Sequence, residues 1–287
     1  MKHFMTLALA VAAIIMTACN NSDSENVLDG SAVKITFNVQ GDFTLSTSPM
    51  TRALTADGKQ MTDVWVLDYV GGELHQQLHQ TSADPDFGQP TLDLALGSHH
   101  LYFIASRGSD ATLNTEAHTL TFAKVLDTFW QDYSLTVTTG TSSGNRAVTL
   151  DRIVTKLKVL FADAIPTGAA TFNITPHTWY YAFDYQTGEP SAAAPSQAIS
   201  VAIPSTEIGN TDVFVNIFGF SGTTEWTTDV AVNCKDADNA VLGQATITDA
   251  PFIRNRVTEF SGPLFTAGSG MTLSLNAAWD DAYQGTW

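Results

Sequence analysis

Two cysteines stand in the chain, Cys19 and Cys234, and they call for different chemistry. Cys19 closes Met16-Thr17-Ala18-Cys19, behind an apolar stretch from Leu7 to Met16 and a start that carries Lys2. A basic start, a short apolar core and small residues before a cleavage point make a secretory signal. A cysteine at the first mature position makes it a lipoprotein signal, although Met16 stands where Leu is commoner. The thiol takes a diacylglycerol and the freed amine a further acyl chain. Several chains hold a membrane far better than one, because each buried CH₂ adds about 0.8 kcal/mol. Residues 1–18 are thus expected as the signal and 19–32 as a polar tether, with Asn20 to Glu25 too hydrophilic to continue a membrane span. With Cys19 on lipid, Cys234 has no partner for an internal disulfide. Its neighbours read as a strand entering a turn, and a buried structural thiol is expected there.

The remaining reactive side chains form no catalytic set. His75-Gln76-Gln77-Leu78-His79 has the outer spacing of a zinc helix, but Gln76 stands where the general-base Glu would be. The segment reads as a strand, which puts the two histidines about 13 Å apart. His99-His100 precedes a strand, and since adjacent strand residues point to opposite faces they make no ligand pair. Asp84-Pro85-Asp86 and Asp236-Ala237-Asp238-Asn239 are fragments of calcium loops without the sixth-position glycine and terminal Glu, and turn chemistry explains both. Asp280-Asp281 reads as a solvated terminus. No nucleophile elbow, phosphate loop or dinucleotide fingerprint occurs. No metal, no cofactor and no enzyme activity are expected. Trp179-Tyr180-Tyr181 is the one aromatic cluster that could serve a ligand. Trp179 and Tyr181 could stack on a sugar, although alternate members of a strand must face the core.

The elements that would position these groups are strands. Val33, Ile35, Phe37 and Val39 alternate with Lys34, Thr36, Asn38 and Gln40, the period of a half-buried strand. Met61 to Val70 is a nearly continuous apolar run closed by Gly71-Gly72, which predicts a central strand and a hairpin back through Leu74 to His79. Leu92, Leu94 and Leu96 alternate, and Leu101 to Ala105 forms another strand. Phe122, Val125, Leu126, Phe129 and Trp130 recur at helical spacing, so a short helix is expected over 122–133. Val148 to Phe161 reads as one long strand. Met271, Leu273, Leu275, Ala277 and Trp279 share one face of a last strand.

Composition suits such a chain. Charged residues make up 15% of the 287, below the usual quarter, while 44% are hydrophobic, enough for a sizeable core. The net charge of −16 argues against nucleic acid and anionic membrane surfaces as partners. The loop Thr138 to Asn145 is the best boundary. It divides an N-terminal β-sandwich at 33–145 from a C-terminal one at 146–287, an all-β protein with at most one short helix.

The order of several motifs resembles the fimbrillin family of Bacteroidales, lipoprotein precursors and anchors of surface fimbriae. They are the lipoprotein signal with its acidic tether, which is similar to the surface-export signal of Bacteroides-type lipoproteins; the strand at 33–39 followed by Ser48-Pro49-Met50-Thr51-Arg52-Ala53; Asp63-Val64-Trp65-Val66-Leu67; Arg152-Ile153-Val154-Thr155-Lys156-Leu157-Lys158-Val159; and Arg254-Asn255-Arg256-Val257-Thr258 with Ser261-Gly262-Pro263-Leu264-Phe265. The resemblance implies two tandem transthyretin-like β-sandwiches at the outer membrane surface. It also implies assembly with other fimbrial subunits by donor-strand exchange after a trypsin-like surface protease cuts between Arg52 and Ala53. Arg52 is the first arginine, and Lys34 is the only basic residue between it and Cys19.

Elementary physics agrees with that assembly. A departing strand with an apolar face leaves an empty slot and free backbone groups, which favours strand addition. Four side chains (Val33, Ile35, Phe37, Val39) at about 1.5–3 kcal/mol each supply roughly 6–12 kcal/mol of gross driving force. The strand at 271–279 has the pattern of a donor. An anchor subunit of the same kind would instead keep its first strand and its lipid. A monomeric glycan-binding surface lipoprotein, using Trp179 and Tyr181, is the alternative.

Overall fold

The computed structural model describes residues 32–41, 61–108, 110–195, 197–266 and 272–278, with the backbone course only for 192–195 and 272–278. Cys19, Arg52, Ala53, Met271 and Trp279 lie outside the described residues. Strands account for nearly everything described, and the only helical turn among these residues is a 3₁₀ turn at Ser205–Glu207.

The first half holds β1 (Ala32–Gly41), β2 (Asp63–Val70), β3 (Glu73–Thr81), β4 (Thr91–Ala95), β5 (Gly97–Ser106), β6 (Ala111–Asn114), β7 (Thr119–Phe122), β8 (Thr128–Val137) and β9 (Gly144–Arg152). Seven of these form one sheet in the order β3-β2-β5-β8-β9-β1-β4. The sheet folds over at β8 and β9, which pair only at Phe129↔Arg152 and Trp130↔Asp151. Its two limbs then face each other. Ile35, Phe37, Leu92, Leu94, Val148 and Leu150 of one limb share a buried core with Val64, Val66, Leu101 and Phe103 of the other.

β2 is buried along both faces, which is why its sequence reads as a continuous apolar run. Val64 and Val66 face the sandwich core, while Trp65, Leu67 and Tyr69 face a second cluster. The return to β3 passes through Gly71 and Gly72 at φ +62° and +90°. Both central residues of this two-residue hairpin therefore need the left-handed region, and only glycine adopts it without strain.

The second half holds β10 (Val154–Phe161), β11 (Ala169–Pro176), β12 (Thr178–Asp184), β13 (Pro190–Pro195), β14 (Ile199–Ala202), β15 (Val213–Phe220), β16 (Trp226–Asp236), β17 (Val241–Phe252), β18 (Arg256–Gly262) and β19 (Thr272–Ala278). Sheets β15-β10-β18-β19 and β14-β11-β16-β17 pack face to face. Phe161 and Phe172 stack between them, centroids 3.9 Å apart and planes 4° apart.

A fourth sheet, β13-β12-β7-β6, takes two strands from each half. Beneath it Trp65, Leu120, Phe122, Phe183, Tyr185 and Phe220 share one buried cluster, so a common core crosses the seam. Arg152 spans the seam as well. Its Nε donates to Asp127 Oδ1 at 2.7 Å, Nη2 to Oδ2 at 3.3 Å and Nη1 to Asn255 Oδ1 at 3.0 Å.

Two expectations are corrected here. No helix forms over 122–133: Phe122 ends β7, 123–127 connect, and β8 runs from Thr128. The helical spacing is coincidental, since Phe129 fills the sandwich core while Phe122 and Val125 fill the seam. β8 gains a ladder of ten paired residues with β5, and its aromatic and β-branched residues suit a pleated surface. The expected long strand 148–161 is two strands in two sheets. Ile153 breaks it, its N–H donating to Thr128 C=O at 3.0 Å and its C=O accepting from Ser221 N–H at 3.1 Å. β9 belongs to the seven-stranded sheet and β10 to a sheet of the second half, and the chain crosses between them at Ile153.

Candidate functional site

β1 is amphipathic and doubly flanked. Its alternation buries Ile35 and Phe37 completely and leaves Lys34 and Gln40 exposed. It runs antiparallel to β4, with Ala32↔Ala95 through Thr36↔Thr91 in register, and Thr36 and Thr91 hydroxyls meet at 2.8 Å. Beyond β4 the ladder continues onto the preceding loop, with Phe37 N–H donating to Pro90 C=O at 2.9 Å and Val39 N–H to Gly88 C=O at 3.0 Å. On its other side β1 runs parallel to β9, from Ile35↔Gly144 to Gly41↔Leu150. Phe37 reaches across the sandwich to Phe103, centroids 5.0 Å apart, and meets Tyr133 edge-on at 5.8 Å.

Two ladders and a core therefore converge on one strand. Val33 and Val39 are only half-buried, so full burial applies to two side chains rather than four. The apolar driving force for seating this strand is about 3–6 kcal/mol from Ile35 and Phe37, with smaller shares from the valines. Removing β1 would bare one edge of β4 and one of β9 and open the core between them. Residues 42–62, which separate β1 from β2, are the segment where Arg52 lies.

β19 is held differently. Among the described residues it is the terminal strand of its sheet and pairs with β18 alone, from Ser261↔Thr272 to Arg256↔Ala278, with a register shift between Arg256 and Thr258. Leu273, Leu275 and Ala277 lie in this strand. A strand with one ladder, interrupted by an irregularity, separates more readily than one with two.

The aromatic cluster is split between two roles. Trp179 is 2% exposed, its Nε1–H donating to Phe218 C=O at 2.9 Å, and its ring lies against Gly219, where a Cβ would come within 2.6 Å. It has no face to offer a sugar, because the strand alternation turns it into the second core. Tyr181 is half-buried at the seam and lines a cavity. Burial raises its phenol above the usual value.

The polar residues read from the sequence have structural partners. His79 stacks on Trp65 at 4.6 Å and sits 2.6 Å from Asp63, while His75 lies 3.5 Å from Asp68. Asp236 Oδ1 accepts from the N–H groups of Asp238 and Ala240 at 3.0 and 2.8 Å, a turn, and Asn239 takes φ +67° there. Cys234 is fully buried, and burial pushes its thiol up to about 11. Among the described residues no group of three or more His, Cys, Asp or Glu side chains is placed to hold a metal, and no helix is long and apolar enough to cross a membrane. Sequence reasoning missed the strands that clasp β1. The alternation of Val148 and Leu150 marks β9 as a strand but does not name its neighbour.

No family model matches the chain, and no curated protein matches it by sequence. Solved structures do match it in fold. A protein described as an adhesin from Bacteroides ovatus superposes with a TM-score of 0.53 at 10% identity, covering 86% of this chain and 96% of that one. A protein described as polysaccharide-binding from Bacteroides thetaiotaomicron gives 0.53 at 8% identity, covering 85% and 98%. The tip fimbrial protein Mfa3 from Porphyromonas gingivalis gives 0.47 at 12%, covering 85% and 99%. The chain thus shares the all-β fold of the Bacteroides ovatus and Bacteroides thetaiotaomicron proteins.

Proposed function

We propose that the chain is a structural subunit of a cell-surface fimbria, a pilin-like unit or an anchor, that joins its neighbour by strand exchange. The observation that supports this reading is the seating of β1 between β4 and β9 with Ile35 and Phe37 in the core. In this reading a trypsin-like surface protease cuts after Arg52, β1 leaves, and an apolar strand from a neighbouring subunit pairs on both free edges. The donor is the strand at 271–279, whose described part, Thr272–Ala278, pairs with β18 in the free chain. Before processing, lipid on Cys19 holds the precursor at the outer membrane. The adhesin name of the Bacteroides ovatus protein favours a surface role of this kind.

The test is limited trypsin digestion of the full chain purified in detergent. The expected product has a new N-terminus at Ala53, loses the 33–39 peptide, and forms ladders on a gel without boiling. Resistance at Arg52, or cleavage that yields only unfolded monomer, would overturn the reading. A second reading, a monomeric glycan-binding surface lipoprotein, is favoured by the placement of Tyr181 at a cavity.

A further inference from the structure

β1 shows what the slot between β4 and β9 accepts. Its buried face is Ile35 and Phe37, both fully shielded, with Val33 and Val39 half-buried at either end. Between the two buried side chains, on the opposite face, the Thr36 hydroxyl meets the Thr91 hydroxyl at 2.8 Å. Asn38 follows on that opposite face, between Phe37 and Val39. The slot therefore holds a run of defined character: apolar, hydroxyl, large apolar, Asn, apolar (Ile35-Thr36-Phe37-Asn38-Val39). Direction is set as well, since the occupant runs antiparallel to β4 and parallel to β9.

The same order of residue types recurs at Leu273-Ser274-Leu275-Asn276-Ala277, inside β19. It also recurs at Ala170-Thr171-Phe172-Asn173-Ile174 in β11. β11, however, is flanked by β14 and β16, and its Phe172 is stacked on Phe161 in the second core. It cannot leave without dismantling its sandwich. β19 has a ladder on one side alone among the described residues. Topology thus selects β19 where the pattern offers both.

We infer that the strand entering the slot comes from a second copy of this chain, with Leu273 where Ile35 lies, Ser274 opposite Thr91, and Leu275 in the pit of Phe37. That seating rests on the strand exchange proposed above and adds to it the partner, this chain itself, and the register. Leu273 replaces Ile35 at nearly equal volume, a swap that packed cores tolerate. Leu275 is smaller than Phe37, whose ring lies 5.0 Å from that of Phe103 and 5.8 Å from that of Tyr133, so part of the pit stays unfilled. Ala277 lacks the two methyl groups of Val39 at a half-buried place. β1 is thus the better occupant, and its covalent link to its own slot raises its effective concentration there. The intact chain keeps its own strand, and the partner's strand enters only after that link is cut.

Disulfide trapping tests the register. Thr36 and Thr91 stand next to the Phe37 N–H to Pro90 C=O bond and form a non-hydrogen-bonded pair, whose Cα separation of about 4.5 Å suits a disulfide. Thr91→Cys is combined in the full chain with Ser274→Cys, Thr272→Cys or Asn276→Cys, and each protein is digested with trypsin in detergent and oxidised. Thr91→Cys alone is the control, and Cys234 is buried and does not compete. Intermolecular crosslinks are expected with Ser274→Cys after digestion and none before it. The other two positions lie two residues away along the strand, about 7 Å, which puts them beyond the reach of the bond. Leu275→Phe should raise the temperature at which the SDS-resistant polymer dissociates, and Leu275→Ala should lower it. Crosslinking through Thr272→Cys or Asn276→Cys, no crosslink in a polymer that does form, or a polymer indifferent to Leu275 would each overturn the register and leave strand exchange standing. Failure to polymerise at all would overturn both.

Discussion

His99 Nδ1 lies 2.8 Å from Asp68 Oδ1, and neither side chain is exposed to solvent. The other ring nitrogen, Nε2, lies 2.9 Å from the Ala95 C=O. Both partners are acceptors, so satisfying both requires both N–H groups, and the ring is an imidazolium paired with a carboxylate. Asp68 Oδ2 accepts from Gln76 Nε2–H at 3.0 Å, and the same amide reaches the Asp93 C=O at 3.1 Å. The cluster ties β2, β3 and β5 to both ends of the segment Asp93–Ala95 in β4, the outer neighbour of β1.

That pair predicts a pH dependence. Burial by itself would lower the His99 pKa, but the hydrogen bonds to Asp68 and to the Ala95 carbonyl outweigh it, and the net shift is upward from 6.5. A raised folded pKa adds stability that is fully present below the unfolded value and is lost as pH climbs through the folded one. Urea midpoints should therefore fall as pH rises above about 6.5. His99→Gln should flatten that slope, and His99→Ala should cost about 3–5 kcal/mol, because it strands a buried carboxylate. A slope unchanged in His99→Gln would assign the effect elsewhere.

Phe37→Ala should lower stability by about 3–5 kcal/mol, the range for a fully buried aromatic in a core. Its effect should also be local. Hydrogen exchange at the Phe37 and Val39 amides, which donate to Pro90 and Gly88, should accelerate before that of β11. Phe172→Ala, in the stack with Phe161, should instead lower protection across the second sandwich.

Arg152 should not be replaceable by Lys. The guanidinium forks onto both oxygens of Asp127 and reaches Asn255 in the other half, and an ammonium cannot make that set of bonds. Arg152→Lys and Asp127→Asn are expected to be non-additive in a double-mutant cycle, with a coupling of about 1–3 kcal/mol. Additivity would mean that the fork contributes nothing to the seam.

Cys234 should be inert in the native protein. With its thiol raised to about 11 by burial, little thiolate exists at neutral pH and none is accessible. Reaction with a disulfide reagent should track unfolding across a urea series. Fast labelling in the absence of urea would contradict the burial.

Period-two alternation was legible for β1 and β4, and the glycine pair foretold the hairpin between β2 and β3. Those features are local: side-chain faces and permitted backbone angles follow from neighbouring residues alone. The helix expected at 122–133 failed because Phe122, Val125 and Phe129 are buried in different clusters, a fact that spacing cannot encode. The break at Ile153 was hidden because the buried Val148 and Leu150 of β9 run on into the apolar residues of β10, and nothing in that pattern marks a change of sheet.

The sequence by itself determined that Ile35 and Phe37 share a buried face and that Trp179 and Tyr181 lie in one strand. Only the tertiary structure decided that β1 would be clasped by β4 and β9, that Trp179 would turn inward while Tyr181 faced a cavity, and that His99 would meet Asp68. Periodicity states which side of a strand avoids water. Which distant strand supplies the shelter depends on pairing across the chain, where loop closure and the fit of whole faces make the choice.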